Sequence, residues 1–161
     1  MTLEGGHRLP RRRAIRTLLA PLMTTLLAPF FLACTRKDTM DITAALERAC
    51  ATLKPGDTLA FESVAPFAWD HLLLAGPYTP VSELQRVLQG PLPSSLKDID
   101  IDRRDDVNAA VFLNGNDVVH AQALARRVID FDKAFLLKPI PRAQARFVRT
   151  PNGVLFVLAS G

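Results

Sequence analysis

Asp98-Ile99-Asp100-Ile101-Asp102 places three carboxylates at alternate positions, the spacing with which a calcium-binding loop begins. Such a loop also needs Gly at its sixth place and a bidentate Glu at its twelfth. Those places hold Arg103 and Ala109. Arg103 and Arg104 beside the carboxylates would repel a cation, so the run reads as a solvated loop or strand edge.

The other chemistry-bearing residues are sparse. His71 and His120 share no short spacing, and no His-x-x-x-His, Cys-x-x-Cys or Glu-x-x-His pair exists. A metal centre therefore has no support, and none is expected. Ser63, Ser82, Ser94 and Ser95 lie in no nucleophile-elbow context. Each reads as a surface hydroxyl, and no catalytic residue is assigned. Glu62 and Asp70 could pair across adjacent strands, but a solvent-facing pair is the simpler reading. The glycines are scattered and form no phosphate loop, so no cofactor is expected.

Cys34 has a context of its own. Arg8, Arg11, Arg12, Arg13 and Arg16 precede a charge-free apolar run from Thr17 to Ala33. A basic start, an apolar middle and a small residue before the cut make a secretory signal peptide. The run Phe31-Leu32-Ala33-Cys34 resembles the lipobox of bacterial lipoproteins, with Phe31 where Leu is usual and Leu32 where a smaller residue is commoner. The resemblance implies a diacylglycerol on the Cys34 thiol, loss of residues 1–33 and acylation of the new amino terminus. A transmembrane anchor would need roughly 20 apolar residues. This run is shorter and is broken by Pro21 and Pro29. Arg11-Arg12-Arg13-Ala14-Ile15-Arg16 also resembles a twin-arginine export signal, but an ordinary basic leader is the preferred reading, since nothing downstream suggests a cofactor loaded before export.

Removing the leader changes the charge. The chain carries 20 bases and 16 acids; the leader takes five bases and one acid, Glu4, leaving fifteen of each. A neutral domain lacks the basic footprint of nucleic-acid binding. Residues 34–161 suffice for one self-sufficient core. With lipid on Cys34, Cys50 is the sole remaining thiol. It falls beside the apolar stripe of its helix and reads as buried and inert.

Residues 34–40 read as a tether and 41–161 as one domain. Asp41 can cap a helix whose apolar positions Ile42, Ala45, Leu46, Ala49 and Leu53 recur at helical spacing. Lys54 suits its negative end, and Pro55-Gly56 stops it. Thr58 to Val64 alternates like a half-buried strand. Trp69 to Gly76 reads as a buried strand. Thr79-Pro80 opens a second helix with Val81, Leu84, Val87 and Leu88 on its apolar face. Pro91 to Asp106 reads as a long polar, mobile connection. Asn108 to Leu113 and Val118 to Ala123 flank Asn114-Gly115, a strong hairpin signal. Leu124 to Leu137 is mixed and should hold a turn and a strand ending near Leu137. Pro151-Asn152-Gly153 marks a second hairpin between Ala143–Arg149 and Val154–Leu158. The expected fold is α+β: a mainly antiparallel sheet of about five to six strands with two helices packed on one face.

The stretch Phe67-Ala68-Trp69-Asp70-His71-Leu72-Leu73-Leu74-Ala75-Gly76-Pro77-Tyr78-Thr79-Pro80 holds the only Trp and the only Tyr. Its aromatic–Trp-Asp start, apolar strand and Gly-Pro-Tyr-Thr end resemble a pattern in small bacterial lipoproteins of unassigned function. The likeness brings no activity with it. Trp69 and Tyr78 are candidate binding residues if they line a groove. As structural residues they would brace a strand-to-helix corner, the preferred reading.

These readings converge on a lipid-anchored bacterial envelope protein that binds an envelope protein or a small ligand. Its membrane contact is lipid on Cys34. Thr35 stands where Asp would retain a lipoprotein at an inner membrane, so the expected place is the outer membrane, facing the periplasm. The alternative is a lipid-anchored periplasmic hydrolase or other enzyme, which needs convergent polar residues in a cleft.

Overall fold

The computed structural model describes residues 41–159. The leader and the whole tether, Cys34 included, lie outside the described residues.

Within them the chain is α+β, with two four-stranded sheets rather than one. Helix α1 (Thr43–Thr52) precedes strand β1 (Thr58–Ala60), the short helix α2 (Phe61–Val64) and β2 (His71–Ala75). Helices α3 (Val81–Leu88) and α4 (Ser94–Lys97) lead to β3 (Val107–Asn114) and β4 (Asp117–Ala125). Strands β5 (Asp130–Phe131), β6 (Ile140–Pro141), β7 (Arg146–Arg149) and β8 (Leu155–Leu158) complete the fold. One sheet runs β1-β7-β8-β5 and the other β4-β3-β2-β6. All pairings are antiparallel except β5 with β8.

The central strands β2 and β3 of the β4-β3-β2-β6 sheet are buried on both faces, as the unbroken apolar run of Leu72, Leu73 and Leu74 requires. Leu72, Leu74, Ala110 and Phe112 face one core, shared with Ile42 and Leu46 from the α1 region and with Phe147 and Phe156 of the other sheet. Leu73, Ala109 and Val111 face a second core with Leu84, Leu96 and Ile101. The expectation of two helices on one face is thereby corrected: α1 and α3 lie on opposite sides of this sheet. Strand parity decides it, because adjacent leucines in β2 point to opposite faces and each face needs its own cover.

Several local expectations also change. Thr58–Val64 is not one strand; Phe61 begins a helical turn that drives its fully buried ring among Phe112, Phe131 and Phe147. Pro91–Asp106 contains α4 and a 3-10 turn, and Leu92, Leu96, Ile99 and Ile101 are buried beneath them. That connection is a core element, not a polar mobile loop. No strand ends near Leu137; β5 is followed by a 3-10 turn at Lys133–Phe135 that buries Phe135. Thr79 does not cap α3, since its hydroxyl donates back to the Gly76 carbonyl at 2.7 Å. Asp41 is not the cap of α1 either: Ile42 holds that place with no side-chain cap, and Asp41, one residue earlier, accepts from the N–H of Thr43 at 2.8 Å. The far end of α1 is held by Arg149, not Lys54: its guanidinium donates to the carbonyls of Cys50 (2.8 Å) and Leu53 (2.5 Å). Four unsatisfied carbonyls end every helix, and a cation there suits the helix dipole.

Candidate functional site

Strand β4 is the outermost strand of its sheet and also forms the floor of a groove of about 450 Å³. Val118, Val119, His120, Ala121 and Gln122 all line it. Successive strand residues point to opposite faces, so a cavity touching five in a row must follow the strand's edge. One wall is formed by Pro93, Ser94, Ser95 and Asp98 around α4; Asp41 supplies the other.

The Asp41 side is a bonded network. The Gln122 side-chain carbonyl accepts from Ile42 N–H at 3.0 Å and lies 3.1 Å from His120 Nε2. An amide oxygen only accepts, so that contact requires the proton on His120 Nε2. The Gln122 amide nitrogen donates to Asp41 Oδ1 and, at 2.5 Å, to the Thr43 hydroxyl. Thr43, through its side chain and its N–H, then Gln122, hold the Asp41 carboxyl below the usual carboxylate range. His120 also packs edge-on against Phe67, with centroids 5.2 Å apart. It is thus tied down on both sides.

His71 sits elsewhere, in a smaller cleft of about 190 Å³. Its Nδ1 lies 3.0 Å from Asp70 Oδ1, the arrangement in which a carboxylate orients an imidazole. The cleft lining holds no Ser, Thr or Cys, so this pair has no adjacent nucleophile. The other Asp70 oxygen accepts from Gly115 N–H at 2.8 Å. Asp70 is therefore committed to the hairpin and not to Glu62.

The two aromatic candidates do not come together. Trp69 is 4% exposed; its Nε1 donates to the Ala65 carbonyl at 3.0 Å, and Arg142 stacks on the ring at 5.0 Å. Tyr78 is 60% exposed and has φ +58°. The expected packing of its ring over the start of α3 is corrected. The left-handed backbone directs the chain into bonds from Tyr78 N–H to the carbonyls of Ile101 and Arg104 and leaves the ring outside. Neither ring lines the β4 groove.

Asp98, Asp100 and Asp102 are separated by the buried Ile99 and Ile101, with Asp100 at φ +56°. Among the described residues, no three His, Cys, Asp or Glu side chains gather as a cation site would need. Cys50 is buried and unbridged; burial pushes its thiol upward, against a smaller opposing pull from Arg149.

Sequence reasoning assigned Ser94, Ser95, Asp98 and His120 no shared role, and the fold brings all four to one groove. One signal was legible: Asp117 to Ala125 contains no Lys, Arg, Pro or Gly. Its meaning depended on knowing that this strand is at an edge.

No protein-family model matches the chain. No curated protein and no solved structure matches it either.

Proposed function

We propose that this chain is a bacterial envelope protein, anchored through lipid on Cys34 at the outer membrane and facing the periplasm, whose domain works by binding an envelope protein. The observation that supports binding is the groove along β4: long, walled and floored by five consecutive strand residues. Anchoring is supported by the Phe31–Cys34 pattern behind the apolar run. Each buried lipid methylene contributes about 0.8 kcal/mol, so two or more chains hold a protein firmly to a bilayer. Expression of the chain and of Cys34→Ala in a bacterium fed labelled palmitate tests this. Label in the parent alone, with a shortened chain in the outer-membrane fraction, is expected. Equal label in both, or membrane retention through an uncut leader, overturns it.

A second reading, a lipid-anchored hydrolase, would use the His71–Asp70 pair as an oriented base acting on water, since no side-chain nucleophile lines its cleft. That reading requires turnover of simple esters that disappears in His71→Ala. The binding reading requires none above buffer.

A further inference from the structure

The two sheets have four outer strands, and three of them are very short: β1 has three residues, β5 and β6 two each. Short edges, prolines and charges are the usual protection against unwanted strand pairing. Strand β4 is different. It has nine residues and, between its terminal Asp117 and Ala125, no charge other than any on His120. A bulge opposite Phe112/Leu113 irregularises only the end near the turn; from His120 to Ala125 the register with β3 is continuous.

The outward groups of β4 can be named. Arg126 N–H donates to the carbonyl of Asp106, directly opposite it in the extended register. That makes the pair a hydrogen-bonded one, and such pairs alternate along an antiparallel ladder. Leu124, Gln122 and His120 therefore bond to β3, while Ala121, Ala123 and Ala125 turn their N–H and C=O groups outward. The carbonyl of Ala125 is taken by Val128 and Ile129. Among the described residues, no bond outside the ladder engages Ala121 or Ala123. Ala121, in the groove's lining, and Ala123, just past its end, thus turn two donors and two acceptors to the outer edge of the strand. The groove's charged lining is acidic: Asp41 and Asp98, with no Lys or Arg. The bonds holding Asp41 low keep that side negative.

We infer that the outer edge of β4 takes an extended, Lys- or Arg-bearing segment of a partner protein as an added strand. Main-chain bonds to Ala121 and Ala123 would supply affinity, and alternate side chains of the segment would reach the Ser94–Asp98 wall and the Asp41 side. Basic side chains on the segment complement both walls. The inference rests on the binding reading above and specifies its site and ligand chemistry.

The test uses the full chain, labelled with nitrogen-15 and held in detergent micelles. The probes are a seven-residue peptide of alternating valine and lysine, its glutamate counterpart, and the lysine peptide with every amide methylated. The lysine peptide should slow hydrogen exchange at Ala121 and Ala123 several-fold; the other two should not. Ala123→Pro removes only an outward donor, a substitution that edge strands tolerate. It should keep the melting temperature and abolish peptide protection. If that variant does not fold, Asp98→Lys decides instead: it should weaken the lysine peptide and admit the glutamate one.

Equal effects from all three peptides, or no change at Ala121 and Ala123, overturn the inference. So does protection without peptide. If it is independent of protein concentration, the chain's own segment covers the edge; if it rises with concentration, a second copy does. Palmitate on Cys34 without β4 protection would remove this inference and leave the anchoring. Peptide protection without palmitate would do the reverse.

Discussion

Asp70 and Gly115 lie 45 positions apart, yet the Asp70 carboxylate accepts the Gly115 N–H at 2.8 Å. The bond ties the residue before β2 to the turn between β3 and β4. Asp70 N–H also donates to the Leu113 carbonyl at 2.8 Å, and its own carbonyl accepts from Arg142 N–H at 2.7 Å. One residue therefore links the hairpin tip, β2 and the entry to β7. The Gly115 bond, then His71, lowers the Asp70 carboxyl below its usual range. A folded-state value below the unfolded one gives stability that is present above the unfolded value and lost as pH falls through the folded one. Asp70→Asn should lower the neutral-pH melting temperature and flatten its fall on acidification. Thermal melts across the acid range check this; parallel curves for parent and variant would refute it.

Gly115 itself has φ +60°, and a Cβ added there would meet nothing within 4 Å. The cost of a side chain is therefore in the backbone alone. Gly115→Val should destabilise by about 1–3 kcal/mol. Gly115→Asn should cost less, because Asn visits the left-handed region more readily. Urea midpoints of the two variants give the comparison, and equal losses would argue against a backbone origin.

Trp69 and Tyr78 should part company. Trp69→Ala empties a buried site and should cost about 3–5 kcal/mol. Native tryptophan emission should be blue-shifted and move red on unfolding. Tyr78→Gly removes an exposed ring and relieves a left-handed backbone, so it should change stability by less than about 1 kcal/mol. Equal losses at the two sites would contradict the structure.

Arg149 should stabilise α1 from across the fold. Arg149→Met keeps an unbranched stem but leaves the carbonyls of Cys50 and Leu53 without their donor. A loss of about 1.5–3 kcal/mol is expected, the range for a charged hydrogen bond. The Cys50 thiol, buried and pushed upward, should react with a thiol reagent only after unfolding in the parent and sooner in the variant. Modification rates in the native state measure this directly.

Asp130 carries a second acid-sensitive link. Burial works to raise its carboxyl, but bonds from Arg126, Asn108 and the Phe131 N–H outweigh it and hold the group lowered. Arg126 donates through Nε at 3.0 Å and through its terminal nitrogen at 2.6 Å, and the buried Asn108 donates at 3.1 Å. By the same sign argument, this contribution is present at neutral pH and fades on acidification. Asn108→Leu should destabilise more at neutral pH than in acid, where Asp130 no longer needs its donors. A pH-independent loss would assign the effect to packing.

Periodic elements were legible because their causes are local. The helical spacing from Ile42 places α1, Pro80 places the start of α3, and the apolar runs around Asn114-Gly115 place β3 and β4. Even there one detail moved: Asn114 stays in the strand, and Gly115 with Asn116 forms the turn. Only Gly115 of the two central residues has positive φ, whereas a type I′ turn would need it at both. Phe61 misled for a physical reason. Its alternation with Leu59 suits a strand, but the aromatic cluster of Phe112, Phe131 and Phe147 draws it into a helical turn.

By itself, the sequence determined the Cys34 context, the α+β character and the unbroken apolar runs that make β2 and β3 apolar on both faces. Each follows from residues near one another in the chain. Only the tertiary structure decided that the strands form two sheets, that α1 and α3 cover opposite faces, and that Asp41, Asp98 and His120 meet along one groove. Those outcomes depend on which strand ends up outermost. Hydrogen-bond partners far apart in sequence decide that, and a neutral run such as Val118–Leu124 reads identically at the centre of a sheet and at its edge.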